Sequence, residues 1–434
     1  MDQSEFAARR EAFMSEMGPG VAVLPSAPVA LRNNDVTHDY RQDSDFFYLT
    51  GFDEEESVLV LSSEHPEHRS VVFVRERNKE REIWDGKRAG VDGAKERLGV
   101  DAAFPIEELD KRLPDYLGDV RRLHYRLAVN AVFDERIFRA LAAVRGKART
   151  GVVAPSEIVD LSRDLHELRL RKSSAELDMM ERAGAISREA HARAMAVAKP
   201  GAYEYEVEAE IMRVFRARGA ERPAYGSIVG SGPNATILHH RRNDRLMEEG
   251  DLLLIDAGAE LGYYASDVTR TFPVSGRFTD AQRAIYDLVL DAQLAAIEAV
   301  KPGVSYMVVH DAAVEVLAAG LVKLGLIEGP VDEAIEEKRY SPFYMHKTSH
   351  WLGMDVHDVG DYFVDKEPRK LEPGFVLTVE PGLYIAEDAE VDAKWRGIGV
   401  RIEDDVAVTE DGYRNLTPDI PKAADELERI LADR

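Results

Sequence analysis

No cysteine occurs anywhere in the chain. Disulfides, thiolate metal sites and cysteine nucleophiles are therefore excluded. Long apolar runs are also missing, and nothing approaches the roughly 18 residues that a membrane-spanning helix needs. The segment MDQSEFAARREAFMSEMG at the N-terminus is charged and has no apolar h-region, unlike a signal peptide. These features together favour a cytoplasmic location. Positive charge is in deficit, with 56 Lys and Arg against 80 Asp and Glu and a formal net charge of -24. A field of that sign repels phosphate backbones and anionic membrane surfaces, so neither nucleic acid nor a membrane is an expected partner. No low-complexity segment or fixed-period repeat stands out.

What remains is an ordinary globular composition, 45% apolar and 31% charged, which excludes a disordered chain. A length of 434 residues is long for one core and suggests two domains. Residues 5–17 read as a short helix. VAVLP at 21–25, SVLVLS at 57–62, SVVFV at 70–74 and RRLHYRL at 121–127 read as strands, with helices around DGAKERLG and at 131–145. The first half is thus expected to be a small α/β domain. A joint falls near 150–173, where Ser173 and Glu176 form a capping box for a long helix running to about Ala198. In the next helix Val207, Ile211, Val214 and Phe215 share one face, and Gly219 is the expected cap. Helices at 279–299 and 307–324 alternate with apolar strands at 252–258, 375–382 and 397–412, which predicts a mixed sheet with helices packed against it.

Those apolar strands carry acids. A buried carboxylate is costly unless it is paired, hydrogen-bonded or bound to metal. Asp256 closes LLLID. Asp267 follows a turn through Gly262 and precedes VTRTF. Glu380 lies in FVLTVEPG, and Glu403 lies on the same face as Arg401 in GIGVRIEDDVAV. Any one of these could be an ordinary strand-end acid, but four together are harder to dismiss. His346, His350 and His357 cluster in MHKTSHWLGMDVHDVG, and His239 and His240 adjoin in SGPNATILHHRRND. The first cluster is not the HExxH helix of a zinc protease. Oxygen-rich ligation with one imidazole suits manganese and tolerates cobalt or zinc. Four acids are better shared by two ions, held about 3.5–4 Å apart by bridging carboxylates, than by one. The residues alone lead to a two-metal hydrolase and no further.

At these positions the chain resembles the bacterial Xaa-Pro aminopeptidases (aminopeptidase P), of the metallopeptidase family that includes prolidase and methionine aminopeptidase. The likeness runs through DYRQDSDFFYLTGFDEEESVLVL, EIWDGKRAG, VGSGPNATILHH, LLIDAGAELGYYASDVTRTFPVSG, MHKTSHWLGMDVHDVG, LEPGFVLTVEPGLYI and RGIGVRIEDDV, and so covers nearly the whole chain. It implies a non-catalytic N-terminal α/β domain over 1–172, for oligomerisation and site access. A pita-bread catalytic domain would follow over 173–434. It implies two divalent ions, Mn2+ first with Co2+ or Zn2+ as alternatives, held by Asp256, Asp267, His350, Glu380 and Glu403. Asp267 and Glu403 would bridge. His357 and His239 would face the substrate, His346 would lie near the site, Glu380 would relay a proton, and Arg401 would orient the ligands. The implied reaction is attack of a metal-bridging hydroxide on the bond between a peptide's first residue and proline. Asp35 and Trp84 would shape the entrance, Asp35 from a neighbouring subunit of a homodimer or homotetramer. Three alternatives are a prolidase limited to Xaa-Pro dipeptides, a methionine aminopeptidase, and a binding protein that has lost the chemistry. The long N-terminal half argues against the second, and the complete ligand set argues against the third.

Overall fold

The strands expected at 21–25, 57–62 and 70–74 form the middle of a six-stranded sheet. Its order is Ala102–Pro105, Ser70–Val74, Val58–Ser62, Val21–Pro25, Arg122–His124, Glu157–Val159. The central pairs are antiparallel, and the outer strands join in parallel. Val58–Ser62 and Ser70–Val74 are buried at every position, which is why they read as unbroken apolar runs rather than alternating ones. Alternate residues Val21, Val23, Val58, Val60, Val71 and Phe73 pack against Leu113, Ile137 and Leu141 of the helices Leu109–Leu117 and Ala131–Gly146. Two strands were not foreseen, Ala102–Pro105 and Glu157–Val159. Both are short edge strands, too brief to show a period. The strand expected over 121–127 pairs only at Arg122–His124.

The structure is a computed structural model describing residues 1–434, and it divides into two units, Met1–Arg169 and Leu170–Arg434. In the first unit, buried Asp45 accepts from Arg169 Nη1 (2.7 Å) and Arg126 Nη1 (3.0 Å), with His166 Nε2 at 3.1 Å. Burial opposes its charge, but Arg169 and His166 hold the carboxyl well below the usual range.

In the second unit the Ser173–Glu176 capping box is formed and opens the helix Ser174–Val197. The helix Glu204–Ala217 buries Val207, Ile211, Val214 and Phe215 as its spacing predicts. Its cap is Arg218, with Gly219 one residue beyond at φ 91°. The helices Asp280–Glu298 and Met307–Lys323 join these in one core with the strands of the unit. One antiparallel sheet consists of Ile228–Ser231, Leu252–Asp256 and Thr269–Pro273, with Asp256 opposite Thr269. Between the last two strands, Gly262 and Tyr263 adopt φ of 55° and 71°. That is the signature of a type I′ hairpin turn. It joins Ala259–Leu261 to Tyr264–Ala265 and sends the chain back past Asp256.

The second pair of acid-bearing strands departs from expectation. Neither 375–382 nor 397–412 is continuous. Val376–Val379 pairs with Asp404–Val408, and Gly382–Ile385 pairs with Ile398–Arg401. Glu380 and Pro381 therefore lie in a gap opposite Ile402 and Glu403. The Ile402 N–H donates to Pro381 O (3.3 Å), and the Glu403 N–H donates to Thr269 O in the neighbouring sheet (3.1 Å). Proline has no N–H to continue the ladder. The alternation of side chains is preserved through the gap, so the sequence pattern could not reveal it.

An acid with a depressed pKa stabilises fully above its unfolded value of about 3.9, and loses that contribution as pH falls. Asp45→Asn should therefore cost about 3–5 kcal/mol near neutrality, because Arg169 is left buried without its anion. The deficit should shrink below about pH 4. Denaturant unfolding at both pH values checks this, and an equal deficit at both would contradict it.

Candidate active site

The hairpin and the gap bring the acids together. Asp256, Asp267, His350, Glu380 and Glu403 line one cavity of about 300 Å³, with His239, His346, His357, Arg401 and Tyr225 also on its wall. Ligand atoms of Asp267, His350 and Glu403 lie within 4.8 Å of one another. His350 Nε2 is 3.4 Å from Asp267 Oδ2 and 3.6 Å from Glu380 Oε1. Its Nδ1 donates to the Trp351 carbonyl (3.0 Å), which directs Nε2 towards the acids.

Arg401 is the guanidinium that bonds directly to the acids. Its Nη2 donates to Asp256 Oδ2 (2.6 Å), its Nη1 to Tyr384 Oη (3.0 Å) and its Nε to Thr269 Oγ1 (3.1 Å). The Thr269 hydroxyl in turn donates a hydrogen bond to Glu403 Oε2 (2.6 Å). His346 Nδ1 donates to the Lys347 carbonyl (2.8 Å), so its Nε2 accepts from Tyr384 Oη (2.8 Å). Burial, with Arg401 adding to it, keeps that imidazole neutral with a pKa of about 4. The ring of His357 stands 4.5 Å from that of His350, edge to face. Burial and its neighbour His350 lower its pKa. His239 is exposed towards the cavity. Asp35 and Trp84 lie elsewhere, exposed on the first unit, Trp84 at 85%.

Tyr225, Thr269, Tyr384 and Asp405 were not foreseen. Tyr225 Oη lies 2.5 Å from both Asp256 Oδ1 and Asp267 Oδ1. Asp405 is buried and accepts from the Asp267 N–H at 3.1 and 3.2 Å. Tyr225 sits in the unpatterned stretch RPAYGS, which carries no signal. Asp405 carried the same signal as the other acids, a carboxylate in the apolar segment 397–412.

The electrostatics test whether cations fit. Burial raises Glu380 to about 8, with Asp267 and Asp256 pushing the same way and His350 and Arg401 opposing. Burial and the neighbouring acids also raise Glu403 well above its usual value, and Asp256 is raised despite Arg401. Burial resists charge on His350, yet Asp267 and Glu380 hold its pKa up at about 9. Four carboxylates and an imidazole therefore converge with too little positive charge for their number. An oxygen-rich donor set of this kind fits hard or borderline divalent cations.

Comparison with known proteins agrees. Residues 178–410 match metallopeptidase family M24, and residues 6–124 match the aminopeptidase P N-terminal domain. The chain belongs to metallopeptidase family M24, and its second unit has the pita-bread fold of that family. It is 46% identical to the Xaa-Pro aminopeptidase of Escherichia coli (strain K12), over 99% of this chain and 98% of that one. It is 43% identical to the Xaa-Pro aminopeptidase of Haemophilus influenzae, over 99% and 98%. The solved structure of Pseudomonas aeruginosa aminopeptidase PepP superposes with a TM-score of 0.99 at 52% identity, covering 100% of this chain and 98% of that one. An E. coli aminopeptidase P variant solved in complex with substrate superposes at 0.97 and 46% identity, covering 100% and 99%.

Groups with raised pKa hold protons more tightly folded than unfolded. Their contribution to stability is fully present below the unfolded carboxyl value of about 4.3. For Glu380 it is lost as pH rises through about 8. Chelator-treated protein should therefore melt at a lower temperature at about pH 9 than at about pH 5. Glu380→Gln should reduce that fall, and saturating Mn2+ should abolish it. A fall unchanged by both would contradict this electrostatic account.

Proposed function

We propose that this protein releases the N-terminal residue from peptides with proline in second position, acting as a metal-dependent Xaa-Pro aminopeptidase. The observation that carries the reading is the convergence of Asp256, Asp267, His350, Glu380 and Glu403 on one cavity. The full-length likeness to enzymes of that name supports it.

In this reading Asp256, Asp267, His350, Glu380 and Glu403 would hold two divalent ions, Mn2+ by preference. When bound, the ions supply Lewis-acid polarisation of the scissile carbonyl and a water of lowered pKa. The chain's own residues do the rest. His357 donates to the carbonyl oxygen as negative charge develops there. Glu380 takes a proton from the attacking water and delivers it to the proline nitrogen, the leaving group of the cleaved peptide bond. Arg401 holds Asp256 through Nη2 and Tyr384 through Nη1, and Tyr384 in turn fixes His346. The free amine of the substrate lies against the acids, which favours exopeptidase action. Proline offers no amide hydrogen and presents a rigid ring, and His239, Leu238 and Val356 on the cavity wall provide a surface for it. The N-terminal domain over 1–172 is non-catalytic and contributes contacts to a homodimer or homotetramer. The catalytic domain spans 173–434, and the protein acts in the cytoplasm. No helix is long and apolar enough to cross a membrane.

The test is hydrolysis of Ala-Pro, Ala-Pro-Ala and Ala-Ala-Ala with and without Mn2+. Release of alanine from Ala-Pro-Ala but not Ala-Ala-Ala, dependent on metal, is the expected result. Cleavage of Ala-Pro alone would identify a prolidase, and no cleavage would end the enzyme reading. Glu380→Ala should lower kcat by about 10²–10⁴-fold, and substantial residual activity would reassign the proton transfer. Tyr225→Phe removes the hydroxyl between Asp256 and Asp267, and should weaken Mn2+ binding by about 10–100-fold. Unchanged affinity by calorimetry would show that this hydroxyl does not tune the ligands.

A further inference from the structure

Glu204 opens the helix Glu204–Ala217, is fully buried, and has no part in the chemistry above. Its Oε1 accepts from the Ser231 N–H (2.7 Å), the Ser231 hydroxyl (2.8 Å) and Asn234 Nδ2 (3.0 Å). Its Oε2 accepts from His240 Nε2 and the Arg245 N–H, both at 3.0 Å. Burial opposes its charge, but the backbone donors of Arg245 and Ser231 keep the pKa below the ordinary value. A single carboxylate thus gathers both ends of the segment 231–245 and two residues between them, Asn234 and His240.

That segment carries Leu238, His239 and Arg241 on the wall of the cavity. His240 turns inward to Glu204 and is buried, while His239 and Arg241 on either side are exposed. The turn Gly232–Thr236 is seated tightly as well. A Cβ on Gly399 would stand 2.1 Å from the Ala235 carbonyl oxygen, so the turn packs directly on the strand that ends in Arg401. The base and seat of the segment are fixed, and its tip faces the substrate space.

We propose that Glu204 is a positioning residue for substrate recognition, which clasps the segment 231–245 and draws His240 inward so that His239 stands at a fixed place on the cavity wall. This rests on the reading of that cavity as the site for Xaa-Pro peptides. A glutamine in its place would set an NH2 group against donors that need an acceptor, an arrangement that leaves buried groups unsatisfied. The cost falls on how well the wall meets the peptide. An interaction that supports binding without favouring the transition state appears in KM rather than kcat.

Steady-state kinetics on Ala-Pro-Ala with the Mn2+-loaded enzyme provides the test. Glu204→Gln should raise KM about tenfold and leave kcat within about threefold. In a His239→Ala background the same change should alter KM by less than about twofold, because the residue it acts through is gone. A fall in kcat at unchanged KM would overturn the proposal, as would the full rise in KM on top of His239→Ala. If Glu204→Gln does not fold, His240→Ala decides. It removes one donor, leaves the Ser231, Asn234 and Arg245 contacts in place, and should give the same KM-selective rise. An unchanged KM there overturns the proposal. An inactive wild type would contradict the proposed activity, whereas an active wild type with KM-neutral variants would contradict the role of Glu204.

Discussion

Four carboxylates share one crevice with a single guanidinium hydrogen-bonded to them, that of Arg401, and the second unit is built to hold them there against their repulsion. Buried acids without counter-charge favour their protonated forms, which is the direction taken by Asp256, Glu380 and Glu403. The arrangement persists because each acid is tied to the scaffold. Asp256 is held by Arg401 and Tyr225, the Asp267 backbone by Asp405, the Glu380 backbone by the Thr348 carbonyl, and Glu403 by Thr269. Such a site is strained by charge when empty of cations and relaxed when they bind. The crowded acids that make the site costly to fold are the groups that a divalent cation would neutralise.

The backbone is adapted to the same end. The strand pairs around Val376–Ile385 and Ile398–Val408 part at one level, and Glu380 and Glu403 emerge from the opening. On the other sheet, a tight turn at Gly262 and Tyr263 brings Asp267 back beside Asp256. Two interruptions of regular structure thus bring four carboxylates to one cavity. Functional groups often sit where a ladder is broken, because an unbroken one points side chains only up or down.

Much of this was legible in the sequence. The fully apolar strands of the first unit, the capping box at Ser173 and the hairpin through Gly262 depend on local chemistry, and each formed where its residues indicated. The acids were conspicuous because a carboxylate in an apolar strand demands an explanation. Their roles came from family likeness and not from spacing. The broken strands could not be read, because alternation records which face a side chain takes and not which strand receives the hydrogen bonds. Tyr225 and Glu204 were invisible for another reason. A tyrosine in a loop and a glutamate at a helix start are common, and only the fold shows that one touches two acids and the other gathers a whole segment.

The central claim is that this acid cluster is a two-ion site. Calorimetric titration of the chelator-treated protein with Mn2+ tests it most directly. The account predicts two ions bound per chain, with binding abolished when Asp267 and Glu403 are both changed to alanine. One ion per chain, none, or stoichiometry unchanged in that double variant would contradict it.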